Sequence, residues 1–312
     1  MSKISIIGTG AVGASTAFAL SKESWVSELV LVDINEQKAQ GEALDIAHAL
    51  AWDQEVCITS GDYAKTAGSE VIIITVGVPE VVGESRLVPL QKNTDILQSI
   101  VPEMVKHSPN AKLLVVANPV DLLTYVTYKV SGLPSSQVVG LGTMLDTSRL
   151  RYLLGEDFKV ATSDINAYVV GEHGDSQVIL WDQINIGNIS LDKMAKLQNV
   201  IFDETYKKEM ANNVRQTAFD VWDWKGPNAY CVATAIIRVT KAIVRNERVV
   251  LPVSSHQVLD GKDYYISLPS IVGADGNEQI INQDMSEEET KMYNKSSELL
   301  VDLIQQIKFE GE

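Results

Sequence analysis

Along the first half of the chain, short apolar β-branched runs alternate with longer stretches whose apolar positions recur every three or four residues. That alternation predicts strand–helix–strand units and a parallel sheet, because parallel neighbours need a long crossover between them. Six strands are predicted, over residues 3–7, 28–33, 55–59, 70–77, 112–118 and 137–142, with Gly, Asp or Asn at or near their ends. In two of them, Val71-Ile72-Ile73-Ile74-Thr75-Val76 and Leu113-Leu114-Val115-Val116-Ala117, the run is nearly continuous, as expected of strands covered on both faces and placed mid-sheet. Beyond about Leu150 the texture changes. Mixed polar strands are read over 165–170 and 178–186, then long helical stretches, then two short strands near 249–253 and 264–268, which together predict an α+β unit. The chain closes on a capping box, Ser286-Glu287-Glu288-Glu289, and then Leu299, Leu300, Leu303, Ile304 and Ile307 on one helical face, which reads as scaffold.

A length of 312 residues suggests two domains, and 45% hydrophobic with 21% charged residues is ordinary globular composition rather than disorder. A net charge of −15 and a pI near 4.7, without any Lys/Arg-rich run, exclude nucleic acid and disfavour an anionic membrane as partners. An anionic ligand must be held by a few well-placed donors. Cys57 and Cys231 are the only cysteines, so neither a disulfide framework nor a cysteine-based zinc cage is available. No metal is expected, and a reducing cytoplasm is the default compartment. The amino-terminal apolar stretch is too short for a signal peptide or a membrane span. No linker or repeat is evident, so the two units should pack together, divided as residues 1–143 and 144–312.

Directly after the first strand stands Gly8-Thr9-Gly10-Ala11-Val12-Gly13, opening a helix. Its three glycines suit a tight turn, close approach of a pyrophosphate to the backbone, and close helix–strand packing, while the helix N-terminus offers N–H donors to the anion. The motif alone is also compatible with a glycine-rich turn that binds nothing. Asp33, twenty positions beyond Gly13 at the end of the second strand, is placed to bind ribose hydroxyls and would repel a 2′-phosphate, which favours NAD over NADP. It could equally cap the following helix. Gly77 and Asn118 end two further strands, so all these candidates fall at carboxyl ends of strands, where ligands bind open α/β sheets.

Four histidines occur, and His173 stands out in Gly171-Glu172-His173-Gly174-Asp175-Ser176, among polar and flexible residues after a strand. Histidine is the natural acid/base near neutral pH; a surface-loop histidine is the competing reading. His48 and His107 lie in helical surroundings and His256 in a predicted loop, without assigned chemistry. Asp146 and Arg149 in Asp146-Thr147-Ser148-Arg149 are three apart on one helical face. They read either as a plain salt bridge or as a division of labour, with Asp146 orienting an imidazole and Arg149 gripping a carboxylate. Residues 77–87 carry glycines and a proline beyond a strand end, fit a mobile lid, and present Arg86 as a candidate to polarise a carbonyl.

Together these motifs resemble the L-lactate/malate dehydrogenase family, on its lactate side. The similarity runs through Gly8-Thr9-Gly10-Ala11-Val12-Gly13, Asp33, Gly83-Glu84-Ser85-Arg86, Asn118-Pro119-Val120-Asp121, Leu145-Asp146-Thr147-Ser148-Arg149 and Gly171-Glu172-His173-Gly174-Asp175-Ser176. The resemblance implies a Rossmann domain followed by an α+β substrate domain, NAD as cofactor, and a 2-oxo or 2-hydroxy monocarboxylate as substrate. It implies that His173 exchanges a proton with the substrate, Asp146 stabilises its imidazolium, Arg149 binds the carboxylate, Arg86 polarises the C2 oxygen, and Asn118 contacts both substrate and nicotinamide side. It implies a homo-oligomer, dimer or tetramer.

Three positions depart from the lactate pattern. Glu80 stands at the specificity position, usually Gln in lactate and Arg in malate enzymes, and its charge should disfavour a second carboxylate. Asn228 stands where Thr usually meets the substrate methyl, with Val232 nearby in place of a common Ile, which suggests larger or more polar 2-oxo acids. Asn166 stands where bacterial enzymes activated by fructose 1,6-bisphosphate usually carry His; Arg151 matches the other half of that site, and such activation is not expected. The alternatives are an L-2-hydroxyisocaproate-type enzyme, then a malate dehydrogenase, and outside the class an NAD-dependent glycosidase or a silent NAD-binding protein.

Overall fold

The structure, a computed structural model, describes residues 2–52, 55–78 and 87–309. Its first part runs β1 (Ser2–Ile7), α1 (Ala11–Leu20), β2 (Val26–Val32), α2 (Glu36–Leu50), β3 (Cys57–Ser60), β4 (Val71–Ile74), α3 (Leu87–His107), β5 (Lys112–Val115), α4 (Val120–Ser131) and β6 (Val138–Gly140). The six strands pair in parallel in the order β3-β2-β1-β4-β5-β6. Each of the six predicted strands is present, and the two near-continuous apolar runs occupy the middle, with all four residues of β4 fully buried. Residues 75–77 and 116–118, predicted as strand, continue past the ladder and become the loops of the carboxyl edge.

The second part contains α5 (Met144–Phe158), β7 (Ile165–Asn166), β8 (Val169–Val170), β9 (Val178–Ile179), β10 (Asn185–Ile186), β11 (Ile189–Ser190), α6 (Leu191–Gln198), α7 (Glu204–Lys225), α8 (Ala229–Val244), β12 (Val249–Leu259), β13 (Lys262–Gly273), β14 (Gly276–Ile280) and α9 (Glu287–Ile304). The two mixed polar strands expected over 165–170 and 178–186 are each split. β7 and β10 join β11 in one small sheet, whereas β8 and β9 form a separate ribbon. The two strands near 249 and 264 are 11 and 12 residues long rather than short, and β12 bonds to β6, so β12, β13 and β14 extend the parallel sheet as antiparallel strands. Polar residues run through the interior of both strands. The buried serines of these strands have partners: the Ser254 hydroxyl donates to Asp121, those of Ser255 and Ser270 bond each other, and that of Ser267 accepts the Thr143 N–H. His256 accordingly lies on β12, paired with Asp263, and not in a loop.

Successive residues of the central strands point to opposite faces, which builds two apolar layers. Ile4, Ile6, Leu29, Leu31 and Ile73 pack with α1, α2 and α8, while Ile7, Val30, Val32, Ile72 and Ile74 pack with α3, α4 and α9. A third cluster lies among α5, α6 and α7. The capping box of α9 forms as expected, and Glu289 additionally accepts the Trp181 N–H through its second oxygen. Leu300, Val301 and Ile307 are buried apolar positions of this carboxy-terminal segment, whereas Leu299 faces outward.

Candidate active site

At the carboxyl edge, β1 ends on Gly8, whose φ of +96° is open mainly to glycine. Ala11 and Val12 open α1, and a Cβ at Gly13 would overlap the Gly8 carbonyl oxygen, so helix and turn can meet only at glycine. Gly10 is the N-cap of α1; it carries no side-chain cap, and a Cβ there would meet nothing within 4 Å. The helix N-terminus is thus uncapped, has no acidic residue in its first turn and faces open space, which fits a pyrophosphate. Asp33 follows β2 and accepts the Thr9 N–H at 2.6 Å, the Thr9 hydroxyl at 2.8 Å and the Asn35 N–H at 2.9 Å. Burial opposes its charge, but these donors outweigh it and hold its pKa below the ordinary carboxylate value. Asn35, not Asp33, caps α2. Asp33 is therefore a fixed anion beside the glycine turn, as an adenosine ribose requires.

Toward the second part of the chain, three predicted residues meet directly. His173 Nδ1 lies 2.5 Å from Asp146 Oδ2, and Arg149 Nη1 donates to Asp146 Oδ1 at 3.0 Å. An ionised carboxylate can only accept, so Nδ1 carries the proton and Nε2 is left for a ligand. Asp146 is 4% exposed in the buried first turn of α5, and His173 is half-buried. Burial disfavours the imidazolium, yet the charge and hydrogen bond of Asp146 outweigh it and raise the His173 pKa; Asp121 adds to this and Arg149 opposes it. Burial also works against the Asp146 carboxylate, but the His173 and Arg149 cations lower its pKa on balance. The His173 contribution to stability is present below its unfolded pKa and lost as pH rises through the raised one. That of Asp146 is present above its unfolded pKa and lost as pH falls through the lowered one.

The loop holding His173 joins β8 to β9, and its amides are bonded one by one to distant elements. Gly171 N donates to Ser267 O on β13 at 3.0 Å, Glu172 N to Ser296 Oγ on α9 at 2.8 Å, and His173 N to Asp121 Oδ2 on α4 at 2.8 Å. Ser176 Oγ bonds both Glu172 Oε2 and Ser296 Oγ. The first turn of α5 is tied to β8, since the Thr143 hydroxyl donates to Val169 O and the Thr147 hydroxyl accepts Val169 N. The expectation that α9 is only scaffold is therefore corrected, because Ser296 bonds the loop that holds His173.

Asn118 is exposed at the carboxyl end of β5. The buried Asn93 of α3 joins this loop to the one after β4: its Oδ1 accepts Val78 N at 2.6 Å, and its Nδ2 donates to Val78 O and to Asn118 O. Gly77 sits between Ala117 and Asn93, where a Cβ would press on Ala117 at 3.2 Å and just touch Asn93. Glu80 and Arg86 lie outside the described residues. Asn228 is the N-cap of α8, and its amide donates to Ala218 O at 3.4 Å, bridging to α7; it shares no hydrogen bond with His173, Asp146 or Arg149. One turn on, Cys231 has its thiol pKa raised by burial, with Arg149 lowering and Asp146 raising it, so its thiol lies within electrostatic reach of both charges. Arg151 spends two donors on Ala167 O and stacks on Tyr168. Asp121, Asn93, Ser296 and Cys231 were assigned no site role from sequence. Only Asp121 carried a signal, as the one charged residue in the apolar opening of its helix.

This geometry has close counterparts. The lactate/malate dehydrogenase NAD-binding domain matches residues 2–140, and the α/β C-terminal domain of the same family matches residues 143–310. An L-lactate dehydrogenase of Clostridium perfringens is 46% identical over 302 residues, covering 96% of this chain and 95% of its own. One from Clostridium botulinum is 44% identical over 300 residues, covering 96% and 94%. Among solved structures, a lactate dehydrogenase from a deep-sea metagenome library superposes with a TM-score of 0.94, and a minor L-lactate dehydrogenase from Enterococcus mundtii with 0.93; each is 35% identical and covers 99% of both chains. Matched from the glycine turn through the His173 loop to the last helix, the chain belongs to the lactate/malate dehydrogenase family.

Proposed function

We propose that the chain is an NAD-dependent L-lactate dehydrogenase, in which His173 exchanges a proton with the substrate oxygen while Arg149 holds the substrate carboxylate. The observation that carries this reading is the single carboxylate of Asp146 joining the two cations, one through each oxygen. Residues 1–143 serve as the cofactor unit and 144–312 as the substrate unit. Gly8, Gly10, Ala11, Val12 and Gly13 would hold the pyrophosphate, Asp33 the adenosine ribose, and Gly77 and Asn118 the nicotinamide side. Bound there, NAD supplies the hydride exchanged with C2 of the substrate.

The protein's own work is in positioning and protons. His173 in its protonated form donates from Nε2 to the oxygen of a 2-oxo acid, and in its neutral form accepts the proton from a 2-hydroxy acid. The raised pKa sets the direction of the pH effect: pyruvate reduction weakens as pH rises through it, while lactate oxidation strengthens. Arg149 brings a planar fork to the carboxylate in a region 11% exposed, where a charge-assisted pair gains over its value in water. Arg86 would polarise the C2 oxygen, and Asn118 would bond it. Glu80 would repel a second carboxylate.

A second reading, preference for a larger 2-oxo acid, is favoured by Asn228 at the head of α8, with Cys231 and Val232 in the same turn. Exposed large apolar side chains, Phe18 on α1, Leu44 on α2 and Phe219 and Trp222 on α7, support a homo-oligomer. Among the described residues no helix is long and apolar enough to cross a membrane, and the cytoplasm remains the proposed compartment.

His173→Asn should retain NADH binding, followed by nucleotide fluorescence, while turnover falls by about 100-fold or more; full turnover in that variant would refute the assignment. In a panel of 2-oxo acids, pyruvate should exceed oxaloacetate in kcat/KM by about tenfold or more. Parity with oxaloacetate would contradict the role of Glu80, and a branched acid ahead of pyruvate would favour the second reading. Sedimentation velocity should give a dimer or tetramer, and a monomer at micromolar concentration would overturn the oligomer.

A further inference from the structure

Asp121 ends the Asn118-Pro119-Val120-Asp121 stretch and opens α4 from the cofactor side of the molecule, yet both of its oxygens reach across to the other part of the chain. Oδ2 accepts the main-chain N–H of His173 at 2.8 Å, and Oδ1 accepts the hydroxyl of Ser254 on β12 at 2.5 Å. The residue is 2% exposed. A buried carboxylate is costly, and a neutral acceptor would satisfy one amide and one hydroxyl without that cost, so a charge kept here needs an electrostatic beneficiary. The titratable groups that act on it or feel it are His173 and Glu172 from the catalytic loop and Tyr293 from α9. Of these only His173 becomes a cation. The N-terminal turn of α4 also favours a negative charge at this position.

We propose that Asp121 is a positioning residue for proton transfer, fixing His173 through its main-chain amide and adding a second buried negative charge, behind that of Asp146, in favour of the imidazolium. This rests on His173 being the proton carrier. Burial pushes the Asp121 carboxyl up to about 6, against the Ser254 and His173 donors, so the anion is present in the neutral range where pyruvate is reduced. The arrangement also links the cofactor side to the catalytic loop. Asn118, whose main-chain oxygen is held by Asn93, precedes Asp121 by three residues, so a displacement of this loop reaches His173 through a single side chain.

The test uses the full chain with NADH. Asp121→Asn keeps an acceptor for the His173 amide and removes the charge, and its amide nitrogen faces the Ser254 hydroxyl, which can turn to accept. Its NADH affinity should stay within about twofold of the parent, while the pH above which kcat/KM for pyruvate declines should move down by about half a unit or more. Asp121→Ala, which also removes the acceptor, should lower kcat by about tenfold or more with a smaller change in KM. A pH profile of the isosteric Asp121→Asn variant that superposes on the parent's overturns the proposal, whether or not the alanine variant folds. His173→Asn run alongside separates the two failures: if it retains turnover, the reading of the site falls and the proposal with it. If it loses turnover while Asp121→Asn leaves the profile unmoved, the proposal alone falls.

Discussion

A carboxylate withdrawn from water must be compensated by donors or by positive charge, and in this protein Asp146 is paired with two basic side chains, His173 and Arg149. One oxygen fixes the tautomer and aim of the imidazole, and the other steadies the guanidinium. The imidazole and the guanidinium, proposed to meet the C2 oxygen and the neighbouring carboxylate of a 2-oxo acid, are thereby held at a set separation by one side chain. Removing either cation would leave Asp146 with part of its charge uncompensated in a buried turn. The pair is therefore a constraint on folding as well as on chemistry.

Much of the surrounding architecture serves that constraint. The first turn of α5 is anchored to β8 by hydroxyls of Thr143 and Thr147, and the loop beyond β8 is anchored amide by amide to β13, α9 and α4. Each anchor comes from a segment far away in sequence, so the loop acquires its geometry only when the long β12–β13 hairpin has joined β6 and α9 has docked. Its glycines allow the bends, and the hydrogen bonds then remove the freedom. The cofactor edge is organised differently, by short-range fit: Gly13 against Gly8, and Thr9 against Asp33. Asp121 and Asn93 are where the two kinds of organisation meet.

The sheet was legible because fully buried parallel strands leave near-continuous apolar runs, as in Val71-Ile72-Ile73-Ile74. The hairpin is longer than its apolar runs suggest because Ser254, Ser255 and Ser270 interrupt the pattern beyond them, and only the folded structure supplies the partners that let these serines be buried. His173, Asp146 and Arg149 could be picked out by residue type and spacing. The Asp146–Arg149 pair followed from the spacing of three, whereas the bond from Asp146 to His173 could be expected only through the resemblance, since it joins a turn and a loop 27 residues apart. Ser296 and Asn93 gave no sequence signal, being ordinary polar residues in amphipathic helices until their partners are known. Asp121 gave a weak one, as a lone charge in an apolar helix start.

The direct test of this account is the titration of the His173 imidazole, followed by NMR in the parent and in Asp146→Asn. If the buried carboxylate holds the proton on His173, the substitution should lower the imidazole pKa, and the pH range in which pyruvate binds to the NADH complex should contract from its alkaline side. An imidazole that titrates at the same pH in both proteins would contradict the central claim, for the charge of Asp146 would then have no hold on the group that carries the proton.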